Sequence, residues 1–174
     1  MNRLTRQIIA GALKDVGIRE VGYNDGPEIG EWLRRVNRKP GRSYCAAWAW
    51  CKVDDACQDL GLTNPMLPTA GVHLMCRRAK ALGAWTKDPG PGFIGMHDSG
   101  LSKTGARLGH CGIILEVGEH HVQDVEANTN EAGSREGDCV AEKPRPLAYW
   151  DLGYFDPGKM CAGQTCSEEH PEDG

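Results

Sequence analysis

In this chain of 174 residues, the clearest strand pattern is Gly109-His110-Cys111-Gly112-Ile113-Ile114-Leu115-Glu116-Val117. It runs from a glycine-rich loop into an apolar segment, a pattern that predicts a strand over residues 112–117. Three further segments of the same kind follow, at 121–127, 139–141 and 147–150. The second half of the chain therefore predicts a sheet.

The residues before this strand predict four helices. Apolar residues recur at helical spacing from Leu4 to Val16 and again from Ile29 to Val36. A third helix is expected to begin at 43–45 and end near Gly61, and a fourth to cover 70–82. One short strand is expected at 93–96, among loops. Because helices come first and strands later, we expect an α+β fold with a mainly antiparallel sheet.

Composition limits the class of protein. Hydrophobic residues make up 40% of the chain and charged residues 25%, which is typical of a globular domain. A net charge of −4 disfavours a nucleic-acid partner, and no apolar run approaches the ~20 residues needed to insert into a membrane. We expect one monomeric domain over residues 1–155 and a mobile acidic tail over 156–174. The beginning of the chain does not resemble a signal peptide, so synthesis in a cytoplasm is expected.

The sequence contains eight cysteines, and none of them forms a Cys-x-x-Cys pair. The spacing therefore indicates neither a zinc ribbon nor a thioredoxin motif. A chain of this length does not need a disulfide framework to fold, so we expect mostly free thiols.

Cys45 is the candidate nucleophile because it stands at the expected start of the third helix. Free backbone N–H groups and the helix dipole favour a thiolate at such a position. A buried structural role, the commonest one for a free cysteine, is the alternative.

His110 is the candidate base, because strand alternation places it on the face opposite Cys111 and Ile113. The alternative is an exposed loop histidine. Glu126 and Asn128 alternate with apolar residues in a following strand, and either one could orient the imidazole. A solvated outer face of the sheet would explain these polar residues equally well.

Three stretches carry a family resemblance: Gly41-Arg42-Ser43-Tyr44-Cys45-Ala46-Ala47-Trp48, Gly109-His110-Cys111-Gly112-Ile113-Ile114 and Glu126-Ala127-Asn128-Thr129-Asn130. Together they resemble the CHAP family of cysteine, histidine-dependent amidohydrolases/peptidases, within the papain-like NlpC/P60 group. The resemblance covers about residues 10–155 and includes the late Arg145-Pro146-Leu147. The sequence departs from the family pattern at Tyr44, where tryptophan is usual, and at Ala127, where glycine is usual.

The resemblance implies a papain-like fold and a peptidoglycan hydrolase similar to phage endolysins. Cys45 would attack an amide carbonyl, His110 would transfer protons, and Glu126 or Asn128 would orient the ring. An N-acetylmuramoyl-L-alanine amidase is favoured, and a peptide endopeptidase is the alternative. Such an enzyme would need no cofactor and would reach bacterial peptidoglycan through a holin-like partner or on a virion.

Two hypotheses from other classes remain open at this stage. A zinc amidase could use His110, Cys111, His120, His121 and Cys139, although adjacent histidines in a strand point to opposite faces. A wall-binding phage component without activity could use the same fold. Calcium is not expected, because residues 32–53 contain no Asp or Glu.

Overall fold

The computed structural model describes residues 1–130 and 137–164, and within them the chain is α+β, as the sequence predicts. The helices are α1 (Arg3–Lys14), α2 (Pro27–Arg35), α3 (Cys45–Asp59), α4 (Val72–Ala81) and the short α5 (Pro157–Met160). The strands are β1 (Trp85–Thr86), β2 (Ile94–Leu101), β3 (Arg107–Val117), β4 (His121–Thr129), β5 (Cys139–Pro146) and β6 (Gly153–Phe155).

The strands form one antiparallel sheet in the order β1-β6-β2-β3-β4-β5. The prediction of a strand over 147–150 is wrong, because residues Leu147–Tyr149 form a 3-10 turn. Strand β5 ends at Pro146, directly before this turn. The sequence also missed β1 and β6, which are only two and three residues long.

Helices cover one face of the sheet and a smaller cluster covers the other. Cys111 and Ile113 of β3 point into the core formed with the helices. Ile114 points to the opposite face, where it packs with Trp150 and Tyr154. His110 therefore faces away from Cys111, as strand alternation predicts. The sequence predicted a strand that begins at residue 112, but β3 begins at Arg107. His110 therefore lies inside the strand and not in the loop before it.

Helix α3 lies at the centre of the molecule, and most of its residues are buried. It contacts α1, α2, β3 and β4. Such a helix needs small side chains for close packing, which Ala46, Ala47 and Ala49 provide. This central position brings Cys45, the first residue of α3, against β3. In the described part of the chain, no helix has the length and apolar character that spanning a bilayer requires.

Residues 156–164 pack on the helical layer, which corrects the expectation of a mobile tail for this segment. Asp156 caps α5 by accepting hydrogen bonds from the backbone N–H groups of Gly158 and Lys159. Met160 and Cys161 are buried, and the Cys161 Sγ lies 3.9 Å from the Cys57 Sγ. A cap and two apolar anchors thus order a segment whose composition is polar. Residues 165–174, including Cys166, lie outside the described residues.

Removing residues 157–174 is expected to destabilise the domain by about 3 kcal/mol, because it exposes the surface that Met160 and Cys161 cover. For a domain of this size that loss lowers the Tm by roughly 6–12 °C. Thermal unfolding followed by circular dichroism measures the change. A chain ending at Gln164 is the control and should retain most of the stability; an equal loss in both chains would contradict the role of α5.

Candidate active site

The Cys45 thiol lies at the amino end of α3 and is only 4% exposed. The first-turn N–H groups of a helix have no intrahelical acceptor, and Tyr44 provides no side-chain cap here. Interaction with the Cys111 thiol, and then with His110, lowers the pKa of Cys45 well below its usual value despite burial. Ionisation of this buried thiol is therefore favoured at the amino end of the helix.

His110 connects Cys45 with Glu126. Its Nε2 lies 2.8 Å from Glu126 Oε2, and both side chains are fully buried. Its Nδ1 is also buried, and it makes no hydrogen bond of normal geometry within the described residues. Burial opposes a charged ring, but interaction with Cys45 and Glu126 outweighs it and raises the pKa of His110 to about 9. Because Glu126 occupies Nε2, Nδ1 is the nitrogen left to exchange a proton with Cys45.

Glu126 is held from its other side by Arg145 of β5. The guanidinium donates from Nε to Oε1 at 2.5 Å and from Nη2 to Oε2 at 2.7 Å. Burial works against ionisation of Glu126, but Arg145 and then His110 hold its pKa at about 2. The carboxylate is therefore ionised and fixed in orientation. In the sequence, Arg145 belongs only to the stretch that carries the family resemblance, and nothing there indicates its contact with Glu126.

Of the two candidate orienting groups, Glu126 is the one that contacts the ring. Asn128 lies at an irregularity in the pairing of β4 with β5, where the register passes from Ala127 to Thr129. Its backbone adopts the left-handed conformation, with φ of 60°, which asparagine tolerates better than most residues. The simple alternation that the sequence predicted over 124–128 therefore ends at this bulge.

Asp124, two residues before Glu126, is a second buried carboxyl group. Neither of its oxygens makes a hydrogen bond within the described residues. Burial, and then the charge of Glu126, raise the pKa of Asp124 to about 9. Asp124 is therefore neutral at pH 7 and does not compete with Glu126 for the imidazolium charge.

Trp150 stacks on the ring of His110. This role was not predicted from the sequence. The two rings are stacked with centroids 6.2 Å apart and an interplanar angle of 16°. Gly95 and Gly112, which are cross-strand partners, make room for the indole. A Cβ atom at Gly95 would lie 2.5 Å from the Trp150 ring, and one at Gly112 would lie 3.2 Å from it. The sequence did carry a signal for this packing, because each of two predicted strands contains a glycine. A glycine inside a strand often marks a place where another group lies close to the backbone.

The residues proposed for a zinc site are not gathered together. No group of three His, Cys, Asp or Glu side chains within residues 1–130 and 137–164 is placed to hold a metal ion. His120, before β4, and His121, the first residue of β4, are both exposed, whereas His110 is buried against Glu126. Cys139 donates from Sγ to the backbone oxygen of Thr129 at 3.3 Å.

Comparison with known proteins finds no match: no family model fits the sequence, and no curated protein or solved structure is similar to the chain. A cysteine that interacts with an imidazole, which is itself hydrogen-bonded to a carboxylate, is the arrangement that activates a cysteine for attack on a carbonyl group.

Glu126→Gln is expected to lower the rate of substrate hydrolysis by at least about a hundredfold, because a neutral amide no longer stabilises the imidazolium. Asn128→Ala should cost less, since Glu126 is the ring contact. Rates for the two purified variants and the wild type test this order, with circular dichroism to confirm folding. A larger loss in Asn128→Ala would transfer the orienting role to Asn128.

Trp150→Ala is expected to lower the pKa of the alkaline limb of the pH–rate profile. Water entering above the ring would relieve the burial that opposes the charged imidazole, but it would also screen the attractions to Cys45 and Glu126 that outweigh burial. The net shift should therefore be toward the ordinary histidine pKa, so that the imidazolium loses its proton at lower pH. Trp150→Phe retains an aromatic cover and is the matched control. Identical alkaline limbs in both variants would show that Trp150 only fills space.

Proposed function

We propose that this chain is a cysteine-dependent peptidoglycan hydrolase with a papain-like, CHAP-type catalytic domain. The observation that supports it most strongly is the buried His110, which lies between Cys45 and Glu126 and uses Nε2 for the carboxylate. The α+β fold, with the nucleophile on the central helix and the histidine on the adjoining strand, agrees with this proposal. Peptidoglycan as the substrate rests on the family resemblance of residues 10–155.

In the proposed reaction, the Cys45 thiolate attacks an amide carbonyl carbon while the imidazolium of His110 remains protonated. Backbone N–H groups of the first turn of α3 stabilise the negative charge that develops on the carbonyl oxygen. His110 then donates its proton from Nδ1 to the leaving amine, and a thioester with Cys45 remains. Water, deprotonated by His110, hydrolyses the thioester and regenerates the thiolate.

The same proposal assigns the bond and the place of action. An N-acetylmuramoyl-L-alanine amidase is the favoured activity, and an endopeptidase of the peptide stem or bridge is the alternative. The enzyme would act as a monomer on the bacterial cell wall, reached through a holin-like partner or on a virion. Mass spectrometry of the digested muropeptides separates the two activities, because an amidase leaves free L-alanine amino ends and intact cross-bridges.

Cys45→Ala is expected to abolish wall hydrolysis while preserving the fold, because the proposed thioester forms on the Cys45 Sγ. Cys51→Ser is the matched control: Cys51 is buried in the same helix, and burial raises its pKa to about 12. That change should affect stability more than turnover. Turbidity of purified cell walls measures both variants, and clearing by Cys45→Ala protein would overturn the assignment of the nucleophile.

Wall hydrolysis should follow a bell-shaped pH profile. The rate is expected to fall above pH ~9, because His110 loses the proton that the leaving amine needs, and its pKa is about 9. The acid limb should lie well below the usual thiol pKa of ~8.5, since the pKa of Cys45 is lowered. Initial rates on a soluble muropeptide across the pH range measure both limbs. An alkaline limb near pH 6.5, the value of an unperturbed histidine, would contradict the proposed ion pair.

A further inference from the structure

Two cavities meet beside the nucleophile. The first, called here the Cys45 cavity, has a volume of about 160 Å³ and includes Cys45, Ser43, Gly71 and Gly109 in its lining. The second, called the arginine cavity, has a volume of about 420 Å³ and is lined by Arg38, Arg42, Ser43, Ala70 and Gly71. Because Ser43, Ala70 and Gly71 line both, a ligand bound at Cys45 can extend directly into the arginine cavity.

The arginine cavity carries positive charge without compensation. Neither Arg38 nor Arg42 forms an ion pair within the part of the chain that the structure describes. The arginines of α2 differ in this respect, because Arg34 pairs with Glu31 and Arg35 pairs with Asp54 and Asp55. No Asp or Glu is among the described residues that line either cavity.

Two guanidinium groups that share one concavity repel each other unless an anion binds between them. Arginine presents a planar fork of N–H donors that matches a carboxylate. The volume is that of a small-ligand site and not of a long polymer track. These features favour a single anionic group on a compact ligand over a polyanionic wall polymer.

We propose that the arginine cavity is a specificity subsite for a carboxylate carried by the substrate next to the scissile amide. The proposal rests on the proposed function for its substrate, a peptide stem with a free carboxyl group. Arg38 and Arg42 bind that carboxylate while the amide carbonyl lies at Cys45. Substrates whose carboxyl group is amidated lose this interaction and are hydrolysed more slowly.

The test compares the double variant Arg38→Gln/Arg42→Gln with Lys39→Gln, which removes a charge from the same loop but does not line the cavity. The substrates are a soluble muropeptide with a free stem carboxylate and the same compound with that group amidated. Wild-type and Lys39→Gln enzymes should show kcat/KM higher by at least about tenfold on the carboxylate form, the size of one charge-assisted contact. The double variant should hydrolyse both forms at equal, low rates.

A second readout does not depend on wall hydrolysis. Iodoacetate and iodoacetamide alkylate Cys45 with similar geometry, but only iodoacetate is an anion. The ratio of their rates should fall about tenfold in the double variant and remain unchanged in Lys39→Gln. If the wild type hydrolyses neither muropeptide but this ratio falls, the anion subsite stands and the proposed function fails. An unchanged ratio, or an equal fall in Lys39→Gln, would overturn the subsite.

Discussion

The proposed reaction depends on a row of four charged groups of alternating sign between α3 and β5: the Cys45 thiolate, the His110 imidazolium, the Glu126 carboxylate and the Arg145 guanidinium. Taking one ion out of water costs several kcal/mol, so the three buried groups, Cys45, His110 and Glu126, each depend on an oppositely charged neighbour. The four charges cancel, and the elevated pKa of Asp124 keeps a fifth charge from upsetting that balance. Removing any inner member would leave an unpaired charge in the interior, and for this reason the row forms one unit.

The packing of the surrounding elements positions these four groups. The small residues of α3 let the helix lie close to β3, which brings the thiol to the imidazole. On the opposite face, paired glycines at 95 and 112 admit the indole of Trp150, which covers the ring of His110. Exclusion of water strengthens each attraction in the row, because the local dielectric constant falls. Packing and electrostatics are therefore coupled at this site: the close approach of backbone elements makes the charge arrangement stable.

The sequence predicted the parts of the structure that depend on local pattern. Helical periodicity located the four long helices, and strand alternation placed His110 opposite Cys111. The pattern could not show Arg145 reaching Glu126 from a neighbouring strand, because that contact depends on register across β4 and β5. It also could not show Trp150 folding over two glycines, or the bulge that displaces Asn128 from the alternation. The packing of residues 156–164 could not be predicted from their polar composition. One helix cap and two buried apolar residues are enough to order that segment.

The proposed mechanism requires that Cys45 and His110 exist as a thiolate–imidazolium pair at neutral pH. The ultraviolet absorbance of the thiolate, titrated as the difference between wild type and Cys45→Ala, measures this state directly. If the pair exists, the difference signal is present at pH 7 and disappears only at distinctly lower pH. A signal that is absent at pH 7 and rises around pH ~8.5, as for an unperturbed thiol, would contradict it.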